Sequence, residues 1–201
     1  MLLDLDDSQL VLVDYQARLM PALSGGLDAL QRALMLAQVA KRLAVPIIGT
    51  EQNPSRLGPN DASLRALCQT TLSKMQFGAC EEGLVDALRP PQRPAGGNAR
   101  SMPKHLQKRD AEPKPTRNTV VLAGCETHVC LLQTALGLLE QEFDVWVVTD
   151  ACASRRERDR DAAFDRLAGN GVELVTAEMV VFEWLQSCEH PAFKDALALI
   201  K

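Results

Sequence analysis

Apolar runs and helix-spaced apolar positions take turns along this chain. Runs at 10–14, 45–50, 119–125, 144–149 and 172–176 read as strands, and the segments at about 27–44, 128–141, 157–169 and 178–187 carry apolar residues at helical spacing. A mixed segment at 68–74 predicts a further edge strand, and 191–199 a terminal helix. This alternation predicts a three-layer α/β/α fold, with a mostly parallel, Rossmann-like open sheet of about six strands between two layers of helices. Ligands of such sheets bind beyond the carboxyl ends of the strands, near the reversal in strand order.

One strand exit carries candidate chemistry. Leu122-Ala-Gly-Cys-Glu-Thr-His-Val-Cys130 leads from the strand at 119–125 into a helical pattern formed by Leu131, Leu132, Ala135, Leu138 and Leu139. With Thr127 as the helix cap, Cys130 falls in the first turn, where unpaired NH groups and the positive end of the helix dipole favour a thiolate. A free cysteine by itself is more often a small buried hydrophobe. Two further residues strengthen the chemical reading. Asp14 ends the run Leu10-Val-Leu-Val13, and Lys74 follows Thr70-Thr-Leu-Ser73, so a carboxylate, an ammonium and a thiol all sit at strand ends.

Composition narrows the classes. A length of 201 residues with 46% hydrophobic and 24% charged content predicts a single domain over 1–201 with a sizeable core. A formal net charge of -4 makes nucleic acid an unlikely partner. The first residues are acidic where a targeting peptide would be basic, and no apolar run approaches the roughly 20 residues of a membrane helix, so a cytoplasmic protein with no membrane partner is expected. The six cysteines, 68, 80, 125, 130, 152 and 188, follow no disulfide or CxxC spacing. Cys68, Cys152 and Cys188 are expected to pack among apolar neighbours, and Cys80 to reach the edge of the pocket at most.

The first strand is followed by Asp14-Tyr-Gln-Ala-Arg18 rather than a glycine-rich phosphate loop, and His105, His128 and His190 lack metal-ligand spacing. No cofactor or metal is expected. The stretch from Arg89 to Asn118, about 89–118, departs from the rest: it is rich in proline, lacks sustained periodicity, and is basic through Arg93, Arg100, Lys104, Lys108, Arg109 and Lys114. It reads as an insertion, either solvated or acting as an arm or lid.

The motifs Val13-Asp-Tyr-Gln16, Lys74-Met-Gln-Phe77 and Gly124-Cys-Glu-Thr-His-Val-Cys130 with Thr134-Ala135 resemble those of the isochorismatase-like cysteine hydrolases. Within that superfamily the chain is most similar to the isochorismatase domain-containing proteins, through Thr50-Glu-Gln52, Leu57-Gly-Pro59, Val148-Thr-Asp-Ala-Cys-Ala-Ser154 and His190-Pro-Ala-Phe-Lys194. The resemblance implies that Cys130 is the nucleophile, Asp14 the general base and acid, and Lys74 their electrostatic support. It also implies a non-proline cis peptide between Cys125 and Glu126 in an oxyanion turn that includes Val129. Gln16, Gln52, Phe77, Thr127 and His128 are candidate substrate contacts. Metal-dependent nicotinamidases carry an Asp and a His in a DxH pattern at the second strand exit. Here Gln52 and Pro54 stand in those places.

The implied activity is metal-independent hydrolysis of an amide, carbamoyl or related C–N bond of a small molecule, through a thioester on Cys130, in a protein that forms homo-oligomers. Two alternatives remain open at this point. One is a catalytically idle binding or scaffold protein that works through its basic insertion. The other is a thiol-based redox protein with Cys125 or Cys80 as resolving thiol.

Overall fold

The structure, a computed structural model, describes residues 2–90 and 117–200. The expected insertion at 89–118 falls almost entirely outside the described residues. Chain order runs β1 (Ser8–Val13), α1 (Gly26–Arg42), β2 (Ile47–Gln52), α2 (Pro54–Leu57), α3 (Ala62–Arg65), β3 (Thr70–Lys74), α4 (Leu84–Leu88), β4 (Thr119–Gly124), α5 (Leu132–Glu140), β5 (Asp144–Val148), α6 (Glu157–Gly169), β6 (Glu173–Val175), α7 (Ala177–Leu185) and α8 (Phe193–Ile200). The strands form one six-stranded sheet in the order β3-β2-β1-β4-β5-β6, and every pairing is parallel.

Side-chain alternation explains the layers. Leu10 and Leu12 of β1 point into one core, and Val11 and Val13 into the other, because successive strand residues face opposite sides. The first core joins the sheet to α1, α7 and α8 through residues such as Ala33, Leu36, Ala40, Val181 and Ala196. The second joins it to α4, α5 and α6 through Leu84, Leu131, Ala135, Leu138 and Leu167. The helices α2, α3 and α4 are short pieces that the apolar spacing did not announce. Asp61 caps α3 by accepting NH bonds from Ser63 and Leu64.

Strand order reverses between β1 and β4: the chain builds outward from β1 through β2 to β3, then returns to β4 on the other side. The crevice beyond the ends of β1 and β4 is therefore the switch point. Close approach of these strands requires glycine at 124. A Cβ there would lie 2.5 Å from the Val13 Cβ and carbonyl oxygen. Its absence lets the Cys125 NH donate to the Val13 carbonyl at 2.9 Å, which draws the end of β4 against the residue before Asp14. Among the described residues no helix is long and apolar enough to cross a membrane.

Candidate active site

Asp14 follows β1 with a φ of 55°, a left-handed backbone that Asp and Asn tolerate better than most residues. Its NH donates to the Thr50 carbonyl at 3.2 Å, and its Oδ1 accepts the Thr50 hydroxyl at 2.7 Å. The carboxylate is thus fixed by the neighbouring strand end. Lys74, the last residue of β3, pairs in register with Gln52 of β2. Strands lie about 4.8 Å apart, so a lysine reaching across β2 arrives over the end of β1.

Lys74 Nζ lies 2.8 Å from Asp14 Oδ2, and neither side chain is exposed. The ammonium also donates to Gln52 Oε1 at 2.7 Å, the Phe77 carbonyl at 2.9 Å and the Gln76 carbonyl at 3.3 Å. Those oxygens provide the partners that a buried cation needs. Gln52, expected to contact substrate, instead holds this cage: its Nε2 donates to the Met75 carbonyl at 2.9 Å. Gln16, with the same expectation, is fully buried and uses its amide on backbone. It donates to the carbonyls of Gln52 at 2.9 Å and Gly58 at 2.6 Å, and accepts the Gln52 NH at 2.9 Å. It shapes the loop beside the site.

Cys130 lies in a π-helical turn, Thr127–Leu131, that runs directly into α5. Single π turns inside helices recur at functional sites, and this one presents Cys130 to the end of the sheet. The thiol lies near enough to Asp14 and Lys74 for both charges to act on it. Burial pushes it up to about 12 from the ordinary 9.0; the Asp14 charge adds to that rise and the Lys74 charge opposes it. This corrects the expectation of a thiolate prepared by a helix N-terminus. At rest the group is a thiol, because only 6% of Cys130 is exposed and a carboxylate stands beside it.

The turn itself differs from its expected form. Thr127 is not a cap: its hydroxyl is buried without a partner among the described residues, and Glu126 precedes the turn without capping it. The Cys125–Glu126 peptide bond is cis. The Val129 NH already donates to the Glu126 carbonyl at 3.1 Å, so that donor is engaged. A neighbouring loop braces the turn. The Thr127 NH donates to the Ala153 carbonyl at 3.0 Å, Arg155 pairs with Glu126 at 2.8 Å, and His128 Nδ1 lies 3.0 Å from the Ser154 hydroxyl.

Phe77 is 52% exposed and Met75 67%, so the loop that cages Lys74 turns apolar side chains outward. The sequence places Thr50 at the cleft by its strand-end position but assigns it no partner, and it gives no signal for Ser154, which lies beyond the end of β5. Among the cysteines, Cys152 is buried as expected, but Cys188 is exposed and Cys68 half-buried. Cys125 and Cys130 pack into cores on opposite faces of the sheet, which separates them as a redox pair. Among the described residues no three His, Cys, Asp or Glu side chains converge as metal ligands.

A family model described as isochorismatase domain matches residues 8–179. Isochorismatase domain-containing protein 2 of Xenopus laevis is 32% identical over 193 residues, 96% of this chain and 83% of that protein. Among solved structures, the MAR1 ribonuclease from Caenorhabditis elegans superposes with a TM-score of 0.83 at 28% identity, over 100% of this chain and 92% of that one. The YcaC gene product of Escherichia coli, an octameric hydrolase of unknown specificity, superposes with a TM-score of 0.79 at 25% identity, over 100% of this chain and 87% of that one.

Proposed function

The chain belongs to the isochorismatase family of hydrolases, and on that premise we propose that it cleaves an amide, carbamoyl or related C–N bond of a small molecule with Cys130 as nucleophile. The observation that carries this reading is the burial of the Cys130 thiol beside the Asp14 and Lys74 ion pair, where both charges act on it. Asp14 is the base because the thiol does not ionise by itself near neutral pH. It takes the thiol proton as sulfur attacks the carbonyl carbon, and passes it to the leaving nitrogen as the C–N bond breaks. Water, deprotonated by Asp14, then attacks the thioester, releasing the acid and returning the thiol.

Lys74 has the same part throughout. Its ammonium offsets the negative charge shared by Asp14 and the sulfur, and lowers the cost of the thiolate as it forms. NH groups at the turn around Glu126 to Cys130 receive the developing oxyanion, an effect of about 3–4 kcal/mol per well-placed donor. The Thr127 and Val129 NH groups are the exceptions, being held by the Ala153 and Glu126 carbonyls. His128, half-buried and oriented by Ser154, and the exposed Phe77 are the substrate contacts this reading favours. The reaction proposed here uses no metal: the Gln52 side-chain Oε1 at the second strand exit already accepts from the Lys74 ammonium.

The octameric state of the YcaC product supports a homo-oligomer here, which light scattering on the purified protein measures. Screening small amides and carbamates by intact mass tests the chemistry. An acyl adduct on the wild type that disappears in Cys130→Ser is expected. An adduct that persists in Cys130→Ser, or forms on another cysteine, would refute the assignment.

A further inference from the structure

The Thr134 hydroxyl joins two parts of the site that are far apart in sequence. Thr134 lies on α5 and is fully buried. Its Oγ1 donates to the Cys130 carbonyl at 2.7 Å. A threonine bonded to the carbonyl four residues earlier is a common helix feature and by itself carries nothing. Here the same oxygen also accepts the Ala79 NH at 3.2 Å, from a residue 55 positions away. Ala79 closes the loop whose Gln76 and Phe77 carbonyls hold the Lys74 ammonium. A second link runs parallel, from the Cys80 thiol to the Thr134 carbonyl at 3.5 Å.

Resting on the assignment of Cys130 as nucleophile, we propose that Thr134 is a positioning residue that sets the separation of the Lys74 ammonium from the Cys130 thiol. The reasoning is mechanical. The loop 75–80 has exposed apolar residues at Met75 and Phe77; Lys74, Gln52 and Glu82 bond its first half, and Thr134 alone ties its second half to α5, through the buried Ala79 NH and the Cys80 thiol. Removing the hydroxyl frees that NH and the Cys130 carbonyl together. The loop then relaxes outward and carries two of the ammonium's oxygen partners with it. Lys74 follows, its help to the thiol weakens, and the proton becomes harder to remove. Valine preserves the methyl group, the branch and the volume, and serine preserves the hydroxyl.

The test measures iodoacetamide alkylation of Cys130 by peptide mass spectrometry between pH 7 and 9, with the exposed Cys188 as internal reference. Thr134→Val is expected to slow Cys130 about ten-fold relative to Cys188, the fold-change expected from one well-made hydrogen bond, while Thr134→Ser stays within about two-fold of wild type. Equal rates in Thr134→Val and wild type overturn the proposal, and so does a Thr134→Ser as slow as Thr134→Val, which would make the methyl group the important part. Should Thr134→Val not fold, Thr134→Ala takes its place; if both fail while Thr134→Ser folds, the hydroxyl is structural and the proposal falls. A wild-type Cys130 that does not react at all counts against the nucleophile assignment itself, which distinguishes the two failures.

Discussion

Lys74 and Asp14 form an ion pair at 2.8 Å with both side chains entirely withdrawn from solvent. Burying two charges is costly, and a well-packed apolar pair often serves a fold equally well. The pair persists here because Thr50, Gln52 and the Gln76 and Phe77 carbonyls supply its remaining partners. Its placement beside a buried thiol is what the proposed mechanism uses.

Breaking the pair from one side leaves an uncompensated buried charge. Lys74→Met is therefore expected to lower unfolding free energy by about 3–5 kcal/mol in urea titrations. Adding Asp14→Asn to Lys74→Met removes the stranded carboxylate and should restore most of that loss. Asparagine is the replacement of choice because it also tolerates the left-handed backbone at φ 55°. Additive losses in the double variant would contradict a direct pairing.

The junction of β1 and β4 makes a second demand. Gly124→Ala places a methyl group 2.5 Å from Val13 atoms, most of them fixed by the sheet. The expected cost is about 3 kcal/mol or more, seen as a lower urea midpoint, with loss of Cys130 alkylation in whatever fraction still folds. An alanine variant of wild-type stability would mean that the strands separate without consequence for the site.

The layers, the parallel sheet and the strand ends that gather the site are all legible in the sequence, because each depends on apolar periodicity. Boundaries shifted by two residues or fewer for most elements: the expected strand at 45–50 is Ile47–Gln52, and the helix at 27–44 is Gly26–Arg42. The structure gathers Asp14, Lys74 and Cys130 at one end of the sheet, but the contacts of other candidates differ from those expected. Gln16 and Gln52 look like ligand contacts when only their strand-end position is known; which backbone groups they meet depends on the path of the loops at 57–60 and 74–77. The thiol's resting state was misjudged for a related reason. A helix-terminal position is visible in sequence, whereas burial and the carboxylate that outweigh it are not.

Buried thiols also set the alkaline limit of the fold. Burial raises Cys130 and Cys152 from 9.0 to about 12, and Cys68 and Cys80 to about 11. Unfolded thiols ionise first, so the unfolded state binds fewer protons above pH 9 and stability falls as pH rises. The contribution is complete below about 9 and is lost between 9 and 12. Each fully buried thiol steepens the fall by about 1.4 kcal/mol per pH unit. Urea midpoints from pH 8 to 10.5 should drop for the wild type and drop less steeply for Cys130→Ser. Parallel curves would show that Cys130 is not held as a neutral thiol.

The proposed mechanism gives Asp14 two opposite influences on Cys130, and its removal separates them. As a charge it raises the thiol pKa, so a cysteine that reacts as a free thiolate would become faster in Asp14→Asn. As a base it takes the proton during attack, so a cysteine that depends on it would become slower. The deciding measurement is the ratio of Cys130 to Cys188 alkylation by iodoacetamide at pH 7.5 in wild type and Asp14→Asn, with far-UV circular dichroism confirming that both fold. The base assignment predicts a fall of about a hundred-fold or more in that ratio; an unchanged or increased ratio would contradict it.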